Sequence, residues 1–185
     1  MNKQLSFLAK PSKQHGGSLA IGKRRSLRPL SPKLSLHITL KSSSAIGGRC
    51  LFRHKKMILA VMKKASRLFQ VKVYNYAICG NHLHLLIKGK DRESLQNFFR
   101  VFAGHTAQNI LKLCPLPKSS GGASTQAKGC KKNQRKFWSY LLYSRIVSWG
   151  REFKTVVKYI DQNLLETFHI AAYQPRKQLR GVNSS

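Results

Sequence analysis

The most regular hydrophobic pattern in the chain is a pair of strand-like segments near its middle. Residues 71–78 are rich in β-branched and aromatic residues, and a second apolar segment follows the turn Cys79-Gly80-Asn81. This composition with so short a connection predicts two paired strands. Side chains alternate across a strand, so His82 and His84 share one face, while the leucines beside them point to the other.

The remaining periodicities predict five more elements. Residues 34–41 alternate apolar and polar side chains, which is typical of a half-buried strand. Helical spacing with lysines on the opposite face begins at Leu51, and Asp91 is placed to cap a second helix reaching about Leu113. Residues 137–147 have strand composition, and a helix with one apolar stripe runs from Glu152 to about residue 165.

The predicted order is strand, helix, strand, strand, helix, strand, helix. This order indicates an α+β fold: a ferredoxin-like, or RRM-like, antiparallel sheet with helices, plus a C-terminal helix that carries Tyr159.

The segments outside these elements lack periodicity. Residues 1–33 are rich in Lys, Arg, Ser, Gly and Pro, which predicts a flexible basic arm that either follows phosphates or only aids solubility. Residues 115–136 have the composition of a flexible loop, and residues 171–185 that of a tail. A single domain, residues 34–170, is therefore expected between the arm and the tail.

The charge of the chain is strongly one-sided. The chain has 35 Lys and Arg and only five Asp and Glu, which gives a formal net charge of +30. Such an excess predicts a polyanionic partner, nucleic acid first and an anionic membrane surface second. The scarcity of acids weighs against nucleases that hold two metal ions with carboxylate clusters.

Cysteine usage and hydropathy bear on the compartment. The four cysteines are scattered with no Cys-x-x-Cys pair, so neither a zinc ribbon nor a disulfide framework is indicated. No apolar stretch is long enough for a signal-peptide core or a membrane span. We therefore expect a cytoplasmic, nucleoid-associated protein with no membrane contact.

Two groups of residues are candidates for chemistry. Neutral imidazole is a common metal ligand, so His82 and His84 can hold one ion together; from spacing alone, however, two histidines decorating a half-exposed strand are the better interpretation. Tyr159 and Asn163 lie one helical turn apart beside an apolar stripe. A tyrosine in such a position is more often a packing residue than a catalytic one.

Together these pieces resemble the single-tyrosine HUH transposases (IS200-like), including the REP-associated tyrosine transposases. The resemblance rests on Asn81-His82-Leu83-His84 and on Tyr159-Ile160-Asp161-Gln162-Asn163. The strand Leu36-His37-Ile38-Thr39-Leu40 and the arm His15-Gly16-Gly17 also look like parts of that family. About residues 15–168 are covered.

The resemblance implies a metal-dependent transposase that cleaves and rejoins single-stranded DNA through a 5′-phosphotyrosine intermediate. It implies Tyr159 as the catalytic nucleophile and His82, His84 and Asn163 as ligands of Mg²⁺ or Mn²⁺. The expected partner is single-stranded DNA folded as a hairpin or palindromic repeat, bound by a monomer or homodimer.

Basic and aromatic residues supply the expected DNA contacts. The candidates are Lys23, Arg24, Arg25, Lys72, Tyr74 and Arg145. Aromatic rings at positions 74, 76, 138 and 143 either stack on bases or simply pack in the core.

Three other functions fit the sequence. A ferredoxin-like sheet with a high pI also suits a non-enzymatic RNA- or single-stranded-DNA-binding module. A hydrolase could use a metal-bound water without a covalent intermediate. A domesticated, inactive relative of a transposase would keep the fold and lose the chemistry.

Overall fold

A computed structural model describes residues 13–23, 26–115 and 136–172. Within these ranges the strands are Gln14–His15 (β1), Ser35–Lys41 (β2), Val71–Ile78 (β3), His82–Gly89 (β4) and Tyr143–Val147 (β5). The α-helices are Lys55–Leu68 (α1), Arg92–Leu113 (α2) and Arg151–Thr167 (α3). Short 3₁₀ turns cover Gly17–Ala20, Gly47–Arg49 and Leu51–His54.

The five strands form one antiparallel sheet in the order β1-β5-β2-β4-β3. The connections β2-α1-β3 and β4-α2-β5 each cross over a strand, which is the ferredoxin-like arrangement, with β1 added at one edge. The predicted α+β class, and the added C-terminal helix carrying Tyr159, are confirmed.

Helix ends follow the local sequence. Asp91 accepts a hydrogen bond from the Ser94 backbone N–H at 2.7 Å, which satisfies one of the open donors at the start of α2. Helical structure begins at Leu51, as predicted, but as a 3₁₀ turn that passes into α1 at Lys55. No helix in the described part of the chain is both long and apolar enough to cross a membrane.

The two faces of the sheet are covered by different helices. Between the sheet and the pair α1–α2 lies the larger core, with Leu36, Ile38, Leu83, Leu85, Ile87, Phe98 and Phe102 almost fully buried. A smaller core lies under α3, with Ala77, Leu86, Val147, Val156 and Ile160. Because the second core is small, part of that face of the sheet carries polar side chains.

Strand β2 is more buried than its sequence predicts. Alternation indicates one wet face, yet Ser35 and His37 are buried, as is Leu36 between them. β2 is central in the sheet and α3 covers the face that the alternation left polar. Burial of polar groups is tolerated there because they find hydrogen-bond partners, such as Ser35 Oγ with the Val147 carbonyl at 3.0 Å.

Part of the segment expected to be a flexible arm is folded onto the sheet. Gln14 pairs with Arg145 and His15 with Ser144, and the Gly17 N–H donates to the Leu141 carbonyl at 2.8 Å. Backbone hydrogen bonding to the open edge of β5 fixes this segment, which side-chain periodicity could not reveal. Residues 1–12, 24 and 25 lie outside the described residues.

The predicted strand 137–147 is shorter in the structure. Only Tyr143–Val147 joins the ladder, because the residues before it bond elsewhere. Ser139 N–H donates to the Lys41 carbonyl, and Trp138 Nε1 donates to the Ala103 carbonyl of α2. Most of the predicted loop 115–136, namely residues 116–135, and the tail beyond residue 172 lie outside the described residues.

Candidate active site

The polar side chains on the α3 face of the sheet meet under that helix. In register across β2 and β4, Thr39 is paired with His84 and Lys41 with His82. Paired residues of an antiparallel ladder project to the same face, so the four side chains share the face covered by α3. The prediction that His82 and His84 project together is therefore realised in the folded sheet.

The two histidines of β4 contact each other edge to face. Their ring centroids are 5.0 Å apart at an interplanar angle of 84°. His84 is 4% exposed, while His82 is half-buried at the rim. His82 Nδ1 lies 2.8 Å from the Asn81 side-chain oxygen, and His84 Nδ1 lies 3.0 Å from Thr39 Oγ1. Each ring is thus held through its Nδ1 atom.

A third histidine completes the cluster, and sequence reasoning missed it. His37 Nε2 lies 3.1 Å from His84 Nδ1, across the strand boundary. Burial and, to a smaller extent, the nearby Arg145 guanidinium lower the pKa of His37 to about 4, so the ring is neutral at physiological pH. The residue pattern shows only that His37 lies on the polar side of an alternating strand, which does not distinguish a wet face from one covered by a helix.

Tyr159 of α3 lies directly over these imidazoles. Its ring centroid is 5.4 Å from that of His84 and 5.7 Å from that of His37, with nearly perpendicular planes in both cases. The helix is oriented by Val156 and Ile160, which are buried in the core beneath it. Tyr159 therefore packs, as its sequence context suggests, but it packs against imidazoles.

Asn163 follows one turn later on the same helix. We predicted a position beside the buried stripe, whereas Asn163 is 5% exposed and belongs to the buried face of α3. Its Nδ2 donates to the Tyr159 carbonyl at 2.6 Å, four residues back along the helix. Cys79, in the turn between β3 and β4, places its Sγ 3.7 Å from the Asn163 carbonyl oxygen.

One cleft of about 930 Å³ joins these groups. It lies between β4 and the C-terminal half of α3, and its walls include His82, His84, Tyr159 and Asn163. Lys41, Phe52, Glu166 and His169 also line it. The structure thus brings all four predicted catalytic and metal-binding residues to a single cavity. Among the described residues, no group of three His, Cys, Asp or Glu is arranged to hold a metal ion.

The predicted DNA-contacting residues are dispersed. Arg24 and Arg25 lie outside the described residues, and Lys23 is exposed just before them. Lys72 lies 5.1 Å from the ring centre of Tyr74, which in turn packs against Trp149 and Phe153 at the start of α3. Neither Lys72 nor Tyr74 lines the cleft.

Arg145 has a structural partner. It forms an ion pair with Glu152 of α3, and the same carboxylate accepts a hydrogen bond from Ser148 N–H at 2.8 Å. Arg145 is also the register partner of His37 on β2. In the structure Arg145 therefore joins β5 to the beginning of α3.

The other aromatic candidates mostly serve packing. Trp138 packs on Phe137 and donates to a carbonyl of α2, and Tyr76 borders the larger core. Tyr143 contacts His37 at a centroid distance of 6.4 Å. Burial raises the pKa of Tyr143, with a smaller opposing effect from Arg145. Only Tyr143 of these three approaches the histidine cluster.

The fold and the cleft define a class of α+β protein in which a tyrosine-bearing helix lies over a histidine pair on a ferredoxin-like sheet. The family model for IS200-like transposases matches residues 49–163, more than half of the chain. The chain belongs to the IS200-like transposase family.

Two solved structures are similar to the chain, and the first of them supports the fold. A REP-associated tyrosine transposase bound to a REP hairpin superposes with a TM-score of 0.50 at 11% identity, covering 78% of this chain and 74% of that one. A candidate transposase from Deinococcus radiodurans R1 gives a TM-score of 0.41 at 12% identity, covering 77% of this chain and 98% of that one. No curated protein matches the chain by sequence.

Proposed function

We propose that this transposase-family protein cleaves and rejoins single-stranded DNA, folded as a hairpin, with Tyr159 as the nucleophile. The observation that carries the proposal is the contact of the Tyr159 ring with His84, in a cleft that His82 and Asn163 also line. A phenol can act as the nucleophile in phosphoryl transfer, and two imidazoles and an amide in the same cavity can hold a metal ion that assists it.

The donor set suits a divalent cation. Both histidines are held at Nδ1, which is the arrangement in which Nε2 serves as a metal ligand. Asn163, whose Nδ2 is bonded to a helix carbonyl, would contribute its Oδ1. A bound Mg²⁺ or Mn²⁺ would polarise the phosphate and offset the charge that develops on its oxygens. Neutral ligands preserve the full charge of the ion for this purpose.

The protein's own groups perform the bond exchange. Tyr159 Oη attacks the phosphorus, the bond from phosphorus to the 3′ oxygen breaks, and a phosphodiester to tyrosine forms on the 5′ side. The phenolic proton is lost and the departing 3′ oxygen gains one, so no water is consumed. Because one phosphodiester replaces another, the 3′-OH can attack the phosphotyrosine and rejoin the strand without a nucleotide cofactor.

We assign DNA binding to basic side chains that take no part in the bond exchange. Lys41 lines the cleft, and Lys23 is exposed where the arm leaves the sheet. Phosphate contacts of this kind position a strand with little dependence on its sequence. Arg24 and Arg25, next to Lys23, are assigned the same role from the sequence alone.

The binding-module alternative is less well supported. RNA-recognition domains use the open face of their sheet, where aromatic rings stack on bases. In this protein α3 and the histidine cluster occupy that face, and Tyr74 is packed against α3. A sheet covered in this way offers no stacking platform.

The covalent adduct tests the proposal. A 3′-labelled hairpin oligonucleotide incubated with protein and Mn²⁺ should give a labelled protein band in a denaturing gel. Tyr159→Phe keeps the ring contacts and should abolish the band, while Tyr140→Phe, at an exposed tyrosine, should retain it. An adduct that persists in Tyr159→Phe removes Tyr159 from the mechanism. Cleavage without any adduct favours a metal-bound water instead.

The histidines are tested with the same substrate. His82→Ala and His84→Ala should each reduce cleavage by about 100-fold or more while hairpin binding changes little. The control is His105→Ala, since His105 is exposed on α2. Full activity of either mutant in Mn²⁺ would exclude the histidine pair as the metal site.

A further inference from the structure

His37 is the buried group of the cluster to which the proposed chemistry gives no part. It is 8% exposed, and its Nε2 lies 3.1 Å from His84 Nδ1. The two ring planes differ by only 21°, with centroids 5.2 Å apart. A nitrogen-to-nitrogen contact of this length between nearly parallel rings fits an N–H···N hydrogen bond.

The tautomer of His84 decides whether it can serve as a ligand. A neutral imidazole carries one proton, so a ring protonated at Nδ1 presents a lone pair at Nε2, and a ring protonated at Nε2 does not. For His82 the neighbour at Nδ1 is the oxygen of Asn81, which can only accept. His84 has no such sequence neighbour, and its Nδ1 contacts come from β2.

We propose that His37 is a positioning residue that accepts the Nδ1–H of His84 and so keeps the Nε2 lone pair of His84 available for a metal ion. This inference rests on the proposed function, in which His84 binds the metal. Second-sphere groups that fix an imidazole ligand commonly change metal affinity by about 10- to 100-fold.

Thr39 shares the task but cannot fix the tautomer alone. Its hydroxyl lies 3.0 Å from the same Nδ1, yet a hydroxyl rotates and can donate as readily as it accepts. The ring of His37 is held on its other sides by edge contacts with Tyr143 and Tyr159. A ring clamped between two tyrosines keeps its nitrogen directed at His84.

The tautomer can be measured in metal-free protein. With ¹⁵N-labelled histidine at pH 7.5 and EDTA, long-range ¹H–¹⁵N spectra should show His84 protonated at Nδ1. His37→Phe removes the acceptor and keeps ring volume, so a substantial Nε2–H population should appear. His37→Gln offers an amide oxygen near the position of Nε2 and should restore the wild-type spectrum. Thr39→Val should leave His84 protonated at Nδ1.

Metal affinity provides a second readout. Free Mn²⁺ measured by electron paramagnetic resonance should show binding weakened about 10-fold by His37→Phe and restored by His37→Gln. His84→Ala is the reference for loss of the ligand itself. If wild-type protein binds no more Mn²⁺ than His84→Ala, the proposed metal chemistry fails, whereas the tautomer spectra still decide the role of His37.

Three results would overturn the proposal: a wild-type His84 protonated at Nε2, an unchanged tautomer in a folded His37→Phe, or a tautomer lost in Thr39→Val. If His37→Phe does not fold, the wild-type and Thr39→Val spectra decide the question, since both report on the acceptor without altering His37.

Discussion

At the scale of single residues, the candidate site depends on how each polar side chain is held. His82, His84 and Asn163 each have a hydrogen bond that fixes one of their polar atoms. When one polar atom of a side chain is held by a hydrogen bond, the other polar atom is the one that can face a metal ion. The chemistry proposed for Tyr159 therefore depends on contacts that the residue types alone do not reveal.

Asn163→Ala separates a ligand from a packing residue. Loss of the amide should raise the Mn²⁺ concentration for half-maximal cleavage about 10-fold, with activity recovered at high metal. Thr167→Ala is a matched control, since Thr167 Oγ1 also donates to a carbonyl four residues back. Both variants should lose about 1 kcal/mol of unfolding free energy. Identical metal titrations for the two variants would make Asn163 purely structural.

At the scale of elements, α3 is joined to the sheet at its first turn by Glu152. Burial raises the pKa of the Glu152 carboxyl, but the Ser148 N–H and the Arg145 guanidinium outweigh burial and leave the pKa below its ordinary value. A carboxylate in the first turn also interacts favourably with the helix dipole. Tyr159 is thus positioned partly by an ion pair two turns before it.

The pH dependence of stability should reflect this carboxylate. A lowered folded pKa means that the unfolded chain binds more protons in acid, so the stabilisation is present above the ordinary carboxyl pKa and is lost as pH falls through the folded pKa. The melting temperature of Glu152→Gln should therefore lie below wild type at pH 7, and the difference should shrink as the pH falls from 5 towards 3. Glu93→Gln, at an exposed site on α2, is the control. A constant difference across this range would contradict the assignment.

Strand β1 is held by a glycine with a steric requirement. Gly16 has a φ of 83°, and a Cβ there would lie 2.1 Å from the Leu142 carbonyl oxygen. Gly22 also has a positive φ, of 68°, but a Cβ there would meet nothing within 4 Å. Of these two glycines, only Gly16 combines a positive φ with a steric clash.

Gly16→Ala should therefore release β1 from β5. We expect amide exchange to accelerate about 10-fold or more at Gly17 and Ile146, whose N–H groups bond across this junction. Gly22→Ala supplies the comparison for strain without a clash, and exchange at those two amides should be unchanged. Equal acceleration in both variants would attribute the effect to backbone strain and not to the clash at Gly16.

At the scale of the whole molecule, basic residues are numerous, whereas several of the few acidic residues already have partners within the protein. Within the described residues, Asp91 caps α2, Glu152 pairs with Arg145, and Asp161 accepts from Asn75. Most lysines and arginines are left to attract a polyanion. Many basic side chains across the surface should therefore contribute to DNA affinity, whereas the proposed chemistry is confined to the cleft.

Hairpin binding should therefore be strongly salt-dependent. We expect the dissociation constant to rise about 100-fold or more between 50 and 200 mM salt, measured by fluorescence anisotropy. Lys41→Gln should lower the slope by about one phosphate contact because Lys41 lines the cleft, while Lys64→Gln, on the exposed face of α1, should not. A nearly flat salt dependence would contradict a role for the net charge in binding.

Much of the fold could be predicted because local patterns encode it. Alternation placed β2, composition with a short turn placed β3 and β4, helical spacing placed α1, α2 and α3, and Asp91 marked the start of α2. Predictions were wrong where backbone bonding overrides composition. The strand over 137–147 shortened because Ser139 and Trp138 bond outside the ladder, and Gln14–His15 gained a strand by pairing with an open edge.

The sequence by itself determined that His82 and His84 share a face and that Tyr159 and Asn163 share a helix, since both relations follow from fixed repeats along the backbone. Only the tertiary structure decided that these two pairs line one cleft. It also buried the polar side of β2 and joined His37 to His84, residues 47 positions apart. Such contacts arise from how α3 packs over the sheet, and no periodicity within a single segment records the packing of another.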